Sequence, residues 1–151
     1  MDVIAVVIVA ALVSGNDAVC VGVSDRAQQS GERADKAAML HFQKLDVYQR
    51  SIEFLALARR VLAQLPKGHA ELADQLRRSA QSVPQNIAEG CGRSTRPDKA
   101  RHYTIARVSA MESAAHLDVM QVEDLIEADL YARGIDLLER IVSMLTRLIG
   151  L

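Results

Sequence analysis

The chain has 151 residues, half of them hydrophobic, which is the size of one domain and enough apolar material for its core. Aromatic residues make up only 3 % and tryptophan is absent, so the apolar content is aliphatic and favours an all-α class over a β-sandwich. A formal net charge of −1 excludes a uniformly basic nucleic-acid-binding protein, so a basic surface requires uneven charge placement.

Residues 1–40 do not share the helical pattern of the rest. The apolar run at 3–13 is shorter than the roughly 20 residues that a membrane span needs, and a polar stretch follows it. We predict a disordered leader, or a segment upstream of a true start at Met39. A weak signal peptide is the alternative, although Asp2 replaces the usual basic start and no clear cleavage site follows. We therefore expect a cytoplasmic protein without a membrane anchor.

The first predicted helix follows the leader. Its apolar residues recur at steps of three and four, as one helix face requires: Leu45, Tyr48, Ile52, Leu55, Leu62 and Leu65. Pro66 and Gly68 end it.

The second predicted helix has its apolar stripe at Leu72, Leu76, Ala80, Val83 and Ile87. Pro84 lies inside this pattern and predicts a kink, because an interior proline costs about 3 kcal/mol through a lost hydrogen bond and a clash. Ser79 and Ser82 are candidates for compensating hydrogen bonds. The glycines at 90 and 92 end the helix.

The third helix is predicted to begin near Arg96. Thr95 and Asp98 form an N-terminal capping signal, and Pro97 falls in the first turn, where its missing donor does no harm. The predicted core seam of this helix is Ile105, Val108, Met111, Ala115, Val119, Val122 and Ile126.

The fourth helix is predicted to start at an Asp129 N-cap. Its apolar side is Leu130, Leu137, Leu138, Ile141, Leu145 and Leu148. Four such stripes with short connections predict an all-α, antiparallel up-down-up-down four-helix bundle over residues 41–151, with a kinked second helix.

Charge is divided between the two halves of this bundle. Residues 76–107 carry seven cations against two carboxylates, whereas residues 108–151 carry eight carboxylates against three arginines. Four of the cations surround the turn between helices two and three, at the positive end of the dipole of helix three: Arg93, Arg96, Lys99 and Arg101. We call these four residues the turn cluster and predict that they contact phosphate groups of a nucleic acid. A solvated basic loop is the alternative.

The remaining polar candidates are assigned to a structural or interface network. Arg77 and Arg78 are expected to pair with the acidic C-terminal half, within a subunit or across an oligomer interface. Asn86 and Glu89 lie one turn apart and are expected to hydrogen-bond a neighbouring helix near Pro84.

Catalytic and metal sites are not predicted. The sequence has no nucleophile elbow and no P-loop, and its two cysteines match no metal-ligand spacing. Glu112 and His116 lie four apart, but a di-iron bundle needs a Glu-x-x-His motif and ligands from other helices, so Glu112 joins the structural network. His102 is expected to pair locally with Asp98. We expect a protein that is not an enzyme and needs no metal or cofactor.

Four stretches carry a resemblance to a known family: FQKLDVYQ at 42–49, QLRRSA at 75–80, VPQNIAEGCGRS at 83–94 and IARVSAME at 105–112. Over residues 42–148 the chain resembles the four-helix-bundle proteins encoded in intervening sequences of bacterial 23S ribosomal RNA genes. The resemblance implies a small cytoplasmic homo-oligomer, a ring-like pentamer in relatives, with no established enzymatic activity and a link to RNA through gene location.

The sequence is also distantly similar to the accessory bundle protein of diversity-generating retroelements. That similarity implies a basic surface presented to nucleic acid or to a nucleic-acid-processing protein partner. Two functions therefore stand side by side: an RNA-binding accessory protein that acts through the turn cluster, and an oligomeric scaffold that binds protein alone.

Overall fold

The computed structural model of the chain describes residues 40–150. The predictions for residues 1–39, including the leader and the alternative signal peptide, lie outside these residues. A short 3₁₀ helix, His41–Lys44, precedes four α-helices: α1 (Asp46–Gln64), α2 (Ala70–Gly92), α3 (Arg96–Val122) and α4 (Ala128–Ile149). Within the described range every regular element is helical, which confirms the all-α prediction.

The four helices form the predicted antiparallel bundle. Each packs on two neighbours, in the cyclic order α1, α2, α3, α4, and within the described residues the backbones of the diagonal pairs stay apart. The directions follow from the contacts: Gly90 at the end of α2 faces Tyr103 near the start of α3, and Tyr131 at the start of α4 bonds Asp118 near the end of α3. The short connections at 65–69, 93–95 and 123–127 allow only such hairpin-like turns.

The core differs from the predicted stripes in α1. The buried residues of this helix are Val47, Ser51, Phe54, Leu57, Ala58 and Val61. The predicted Tyr48 and Leu55 are partly buried at the edge of the core, and Ile52 is exposed. The α2 prediction from Leu76 to Ile87 is confirmed, and so is the α4 prediction, except that Leu148 is exposed.

The predicted core seam of α3 is wrong. The buried face of this helix consists of Tyr103, Ala106, Ser109, Ala110, Ser113, Leu117 and Met120. The predicted seam lies on the opposite side, where Val108 is 55 % exposed, Met111 58 % and Val122 84 %. Ile126, the last predicted seam residue, is buried but lies in the connection to α4. Helix α3 therefore has an apolar face outside the core.

Small residues explain which face of α3 turns inward. The α2 and α3 backbones approach closely where Ser79 and Ser82 face Ser113 and Ser109. The Ser113 hydroxyl donates to Ser79 Oγ at 2.8 Å, and the Ser82 and Ser109 hydroxyls lie 2.8 Å apart. These pairs satisfy polar groups that would otherwise be costly to bury. Bulky valine and methionine side chains on this face would hold the two helices apart.

Glycine is required at position 90 by the same close approach. A Cβ atom there would lie 2.6 Å from Cε1 of the buried Tyr103 ring. Real Cβ atoms do not tolerate such a distance, so the Tyr103 ring or the helix that carries it would have to shift.

Helix α2 continues without interruption through the buried Pro84. The carboxamide Nδ2 of Asn86 donates to the Ser82 carbonyl at 2.9 Å. That carbonyl is not the one that Pro84 leaves without an i+4 donor, which belongs to Ala80. The predicted kink remains a prediction.

The helix starts are set by local chemistry in one case and by packing in another. Thr95 Oγ1 accepts a hydrogen bond from the Asp98 backbone amide, as the capping signal predicts. The predicted Asp129 N-cap is wrong, because α4 begins at Ala128 with Glu127 as its cap and Asp129 in its first turn. Burial of Ile126 just before this start anchors the connection to the core.

Gly90→Ala should lower the free energy of unfolding by about 1–3 kcal/mol, the usual cost of overpacking a core. Gly92→Ala is the matched control in the same helix. A Cβ at residue 92 meets nothing within 4 Å, and alanine favours a helix by up to about 1 kcal/mol over glycine. Urea denaturation measures both, and equal effects of the two substitutions would contradict the proposed contact with Tyr103.

Ser79→Ala and Ser113→Ala should each cost about 1 kcal/mol of unfolding free energy, through loss of a buried hydrogen bond. The double variant should cost less than the sum, with a coupling of about 0.5–1.5 kcal/mol, because both partners are removed together. Denaturation of all four proteins completes the cycle. Strict additivity would show that the hydroxyl pair does not contribute.

Candidate functional site

The turn between α2 and α3 is tightly built. Arg93, in an extended conformation, is the C-cap of α2, and Thr95 is the N-cap of α3. The Thr95 hydroxyl donates to Asp98 Oδ2 at 2.5 Å while accepting from the Asp98 amide. The carboxylate of Asp98 is therefore engaged at the start of its own helix, where the helix dipole stabilises it.

The turn cluster lies at one end of the bundle without forming a single pocket. Arg93, Arg96 and Arg101 are exposed and Lys99 is half-buried. The guanidinium Nη2 of Arg96 lies 3.5 Å from the position that a Cβ on Gly150 would take, so it is close to the C-terminal end of α4. This end of α4 carries partial negative charge and attracts the Arg96 cation.

Arg93 is oriented by His102, which was predicted from the sequence to pair with Asp98. Nε of Arg93 donates to Nε2 of His102 at 3.1 Å. Nδ1 of His102 lies 3.2 Å from Glu89 Oε2 and 3.4 Å from Asn86 Oδ1. The predicted pairing of His102 with Asp98 is therefore replaced by contacts with α2. In this arrangement Nε2 is the acceptor, so the proton of a neutral ring sits on Nδ1.

Asn86 and Glu89 thus reach the neighbouring helix through the His102 ring. Glu89 Oε2 also lies 3.9 Å from Nη2 of Arg93, at the margin of an ion pair. The two residues, the histidine and the arginine form one polar network across the α2–α3 interface. No pattern within either helix indicates it, because the partners are joined only by the crossing of α2 and α3.

Arg77 and Arg78 lie on the exposed surface of α2 and both pair with Asp74 of the same helix. Nη1 of Arg77 is 3.3 Å from Asp74 Oδ1, and Nη2 of Arg78 is 2.7 Å from Oδ2. The predicted pairing with the acidic C-terminal half inside the subunit is replaced by this local pairing. Two guanidinium groups share one carboxylate, so this surface keeps a positive charge.

Glu112 and His116 lie on α3 with Oε1 and Nε2 separated by 3.9 Å. Among residues 40–150 no group of three or more histidine, cysteine, aspartate or glutamate side chains could hold a metal ion. Two residues beyond His116 on α3, Asp118 accepts a hydrogen bond of 2.8 Å from the Tyr131 hydroxyl. This bond raises the pKa of Tyr131 above its usual value, because ionisation would remove the proton that the phenol donates to Asp118.

An exposed apolar stripe runs along the outer side of α3. We call it the α3 ridge and define it by Ile105, Val108, Met111, Ala115, Val119 and Val122. Arg101, a member of the turn cluster, lies one helical turn before Ile105. The ridge therefore begins where the basic end of the bundle stops.

A second apolar feature lies between α1 and α2. We call it the α1–α2 groove; its apolar lining is Phe42, Tyr48, Ile52, Leu55, Pro84 and Ala88. The Phe42 and Tyr48 rings meet edge to face with centroids 4.9 Å apart, which fixes one end of the groove. Three of its residues were predicted as core of α1, so sequence periodicity detected them but placed them inside the protein.

No helix within residues 40–150 is long and apolar enough to cross a membrane.

Comparison with known proteins places this bundle among relatives. The model of the family described as 23S rRNA-intervening sequence protein matches residues 43–147. The crystal structure of a protein of unknown function from the S23 ribosomal protein family of Bacteroides thetaiotaomicron has a similar fold, with a TM-score of 0.64 and 23% sequence identity. The similarity covers 70% of this chain and 99% of that chain. A comparison with curated protein sequences finds no match. The family match spans all four helices, and the chain belongs to the 23S rRNA-intervening sequence protein family.

Proposed function

We propose that this chain is a non-enzymatic, homo-oligomeric bundle that binds RNA through the turn cluster and serves as an accessory protein. The observation that carries this proposal is the concentration of Arg93, Arg96, Lys99 and Arg101 at one end of the bundle. Arginine grips phosphate oxygens through paired hydrogen bonds, and lysine adds a point charge. The family description, which links these proteins to 23S ribosomal RNA genes, supports RNA as the nucleic acid.

The local charges favour an anionic ligand at this end. Residues 93–101 carry four cations and one carboxylate. That carboxylate, Asp98, is occupied by Thr95, and Glu89 on the preceding turn faces the His102 ring. Arg93 and Arg101 are both exposed. Arg93 already donates from Nε to His102, and its remaining guanidinium N–H groups and those of Arg101 are the donors proposed for phosphate. Four phosphate contacts from one chain would give weak, sequence-independent binding.

Assembly would strengthen such weak binding. If several copies present their turn clusters on one rim, the contacts of one RNA molecule become multivalent, and avidity exceeds the affinity of a single copy. The exposed α3 ridge supports self-association, because monomeric proteins rarely expose a continuous apolar stripe. The family resemblance favours a pentamer, and we propose the cytoplasm as the location.

A scaffold that binds protein without RNA is the second candidate. The α3 ridge and the α1–α2 groove are the observations that favour it, because both are apolar surfaces suited to protein contacts. Both an RNA-binding oligomer and a protein scaffold could use these two apolar surfaces. RNA affinity and its salt dependence separate the two.

Arg93→Ala with Lys99→Ala should weaken binding to structured RNA irrespective of sequence, because phosphate contacts carry no base information. Each lost phosphate contact should flatten the plot of log affinity against log salt by about 0.7–0.9 per copy. Fluorescence anisotropy at several salt concentrations, on the full chain, measures both effects.

Arg60→Ala with Arg133→Ala is the matched control. Both arginines are exposed and lie toward the other end of the bundle, in the later part of α1 and the first part of α4. This control should leave the salt slope unchanged. Equal losses in the two double variants would show that binding follows total charge and not the turn cluster, and an absence of RNA binding by the unaltered chain would favour the scaffold.

A further inference from the structure

His102 lies at the centre of the polar network that joins α2 to α3. Its side chain is only 15 % exposed. Nε of Arg93 donates to its Nε2 at 3.1 Å, while its Nδ1 lies 3.2 Å from Glu89 Oε2 and 3.4 Å from Asn86 Oδ1. Both ring nitrogens are therefore engaged, one as an acceptor and one as a donor. Imidazole is the side chain whose charge ordinarily changes near neutral pH, so this network has two protonation states.

In the neutral state the ring holds Arg93 against the bundle. The lone pair of Nε2 accepts the Arg93 Nε–H group, and Nη2 of Arg93 then lies 3.9 Å from Glu89 Oε2. The guanidinium charge is next to a carboxylate of its own chain, and one of its N–H donors points into the network. A phosphate group must therefore compete with Glu89 and with the ring for Arg93.

Protonation of His102 would change both contacts. Nε2 would carry a proton and could no longer accept from Arg93, and the imidazolium would repel the guanidinium group at this distance. Nδ1–H would become the donor of a charge-assisted hydrogen bond to Glu89. The carboxylate would then be neutralised by the ring, and Arg93 would be released with all its donors free.

The other charged groups near the ring leave Glu89 as its partner. On α3, Asp98 lies one turn before His102, but its carboxylate accepts a hydrogen bond from the Thr95 hydroxyl. Lys99 and Arg101 are the cations nearest to His102 along the same helix. Helix α4 also packs on α3, and the second half of α4 carries three charged residues: Glu139, Arg140 and Arg147. Among the described residues, no α4 side chain hydrogen-bonds or ion-pairs with the ring.

We propose that His102 is a positioning residue that holds Arg93 when neutral and releases it to RNA when protonated, so that RNA affinity rises as the pH falls. This inference rests on the proposed function and names the regulation of its site. By linkage, a phosphate bound to Arg93 in turn favours the protonated ring. The ring itself is mostly covered by the α2–α3 interface and its charge is balanced by Glu89, so the effect on RNA passes through Arg93.

The affinity of the full chain for a structured RNA should be higher at about pH 6 than at about pH 8. The expected gain is about three- to tenfold, the scale of one added ion pair or charge-assisted hydrogen bond. The plot of log affinity against log salt should also be steeper at the lower pH by about 0.7–0.9, because one more phosphate contact is made. Phosphodiester groups stay ionised throughout this range, and fluorescence anisotropy measures both effects.

Two substitutions identify the groups responsible. His102→Gln removes the titrating proton and keeps an oxygen that can accept from Arg93, so its affinity should be equal at the two pH values. Arg93→Ala should also bind equally at both, because no guanidinium group is left to release. His116→Gln is the matched control and should retain the full pH dependence. His116 lies on the same helix with a side chain 14 % exposed and Glu112 at 3.9 Å, but its Nε2 has no hydrogen-bond partner within the described residues.

Two further variants separate this network from other titrating groups and from loss of folding. His41 lies in the 3₁₀ helix and contacts Cys91 near the end of α2, and His41→Gln should leave the pH dependence unchanged. Glu89→Gln keeps the shape of a side chain that is 57 % exposed but removes the carboxylate that balances the charged ring. It should therefore reduce the gain in affinity at the lower pH. This variant tests the network even if circular dichroism shows that His102→Gln does not fold.

The outcomes separate this inference from the proposed function. If His102 only stabilises the fold, His102→Gln will lower the affinity by the same factor at both pH values and keep the pH dependence, which would overturn the inference. A full pH dependence in Arg93→Ala would overturn it as well. RNA binding that depends on Arg93 and Lys99 but not on pH would refute the role of His102 and leave the proposed function intact. No RNA binding by the unaltered chain at either pH would refute both.

Discussion

The close approach of α2 and α3 is the constraint on which the rest of this structure depends. Serine, alanine and glycine line the contact, and the Ser79–Ser113 and Ser82–Ser109 pairs hold the two helices together through hydroxyl groups. Because small side chains occupy the inner face of α3 from Ala106 to Ser113, the large aliphatic side chains of this stretch lie on the outer face. The same crossing brings His102 to Glu89 and Asn86, and thereby orients Arg93. Core packing, the exposed ridge and the polar network at the turn thus have one common cause.

Sequence reasoning recovered the fold because the signals for helix number and helix ends are local. Proline and glycine after α1, the capping signal at Thr95 and the strong periodicity of α4 each act within a few residues. The inward face of α3 was missed for a physical reason. This helix has two candidate faces, and a rule that seeks large apolar residues selects Val108 and Met111 over Ala106 and Ser109. Which face is buried depends on the helix opposite, and periodicity does not contain that information.

For the candidate site, the sequence predicted which residues lie together but not which partners they contact. The turn cluster follows from local composition, and the structure places its four residues at one end of the bundle. The partners of its residues did not follow, because His102 and Glu89 belong to different helices. Arg77 and Arg78 pair locally with Asp74, which lies three and four residues before them on the same helix. These pairs form without any tertiary contact. Pairs along a helix can be read from spacing, whereas pairs across helices require the packing angle.

The contact between Gly90 and Tyr103 carries a consequence for the history of the family. Space at this crossing is shared between one position on α2 and one on α3, so neither can enlarge alone. A lineage that acquires alanine or serine at position 90 must also acquire a smaller side chain at position 103, and the reverse change opens a void unless glycine is replaced. Substitutions at these two sites should therefore be inherited together, and their covariation among relatives would record how tightly the two helices have been held.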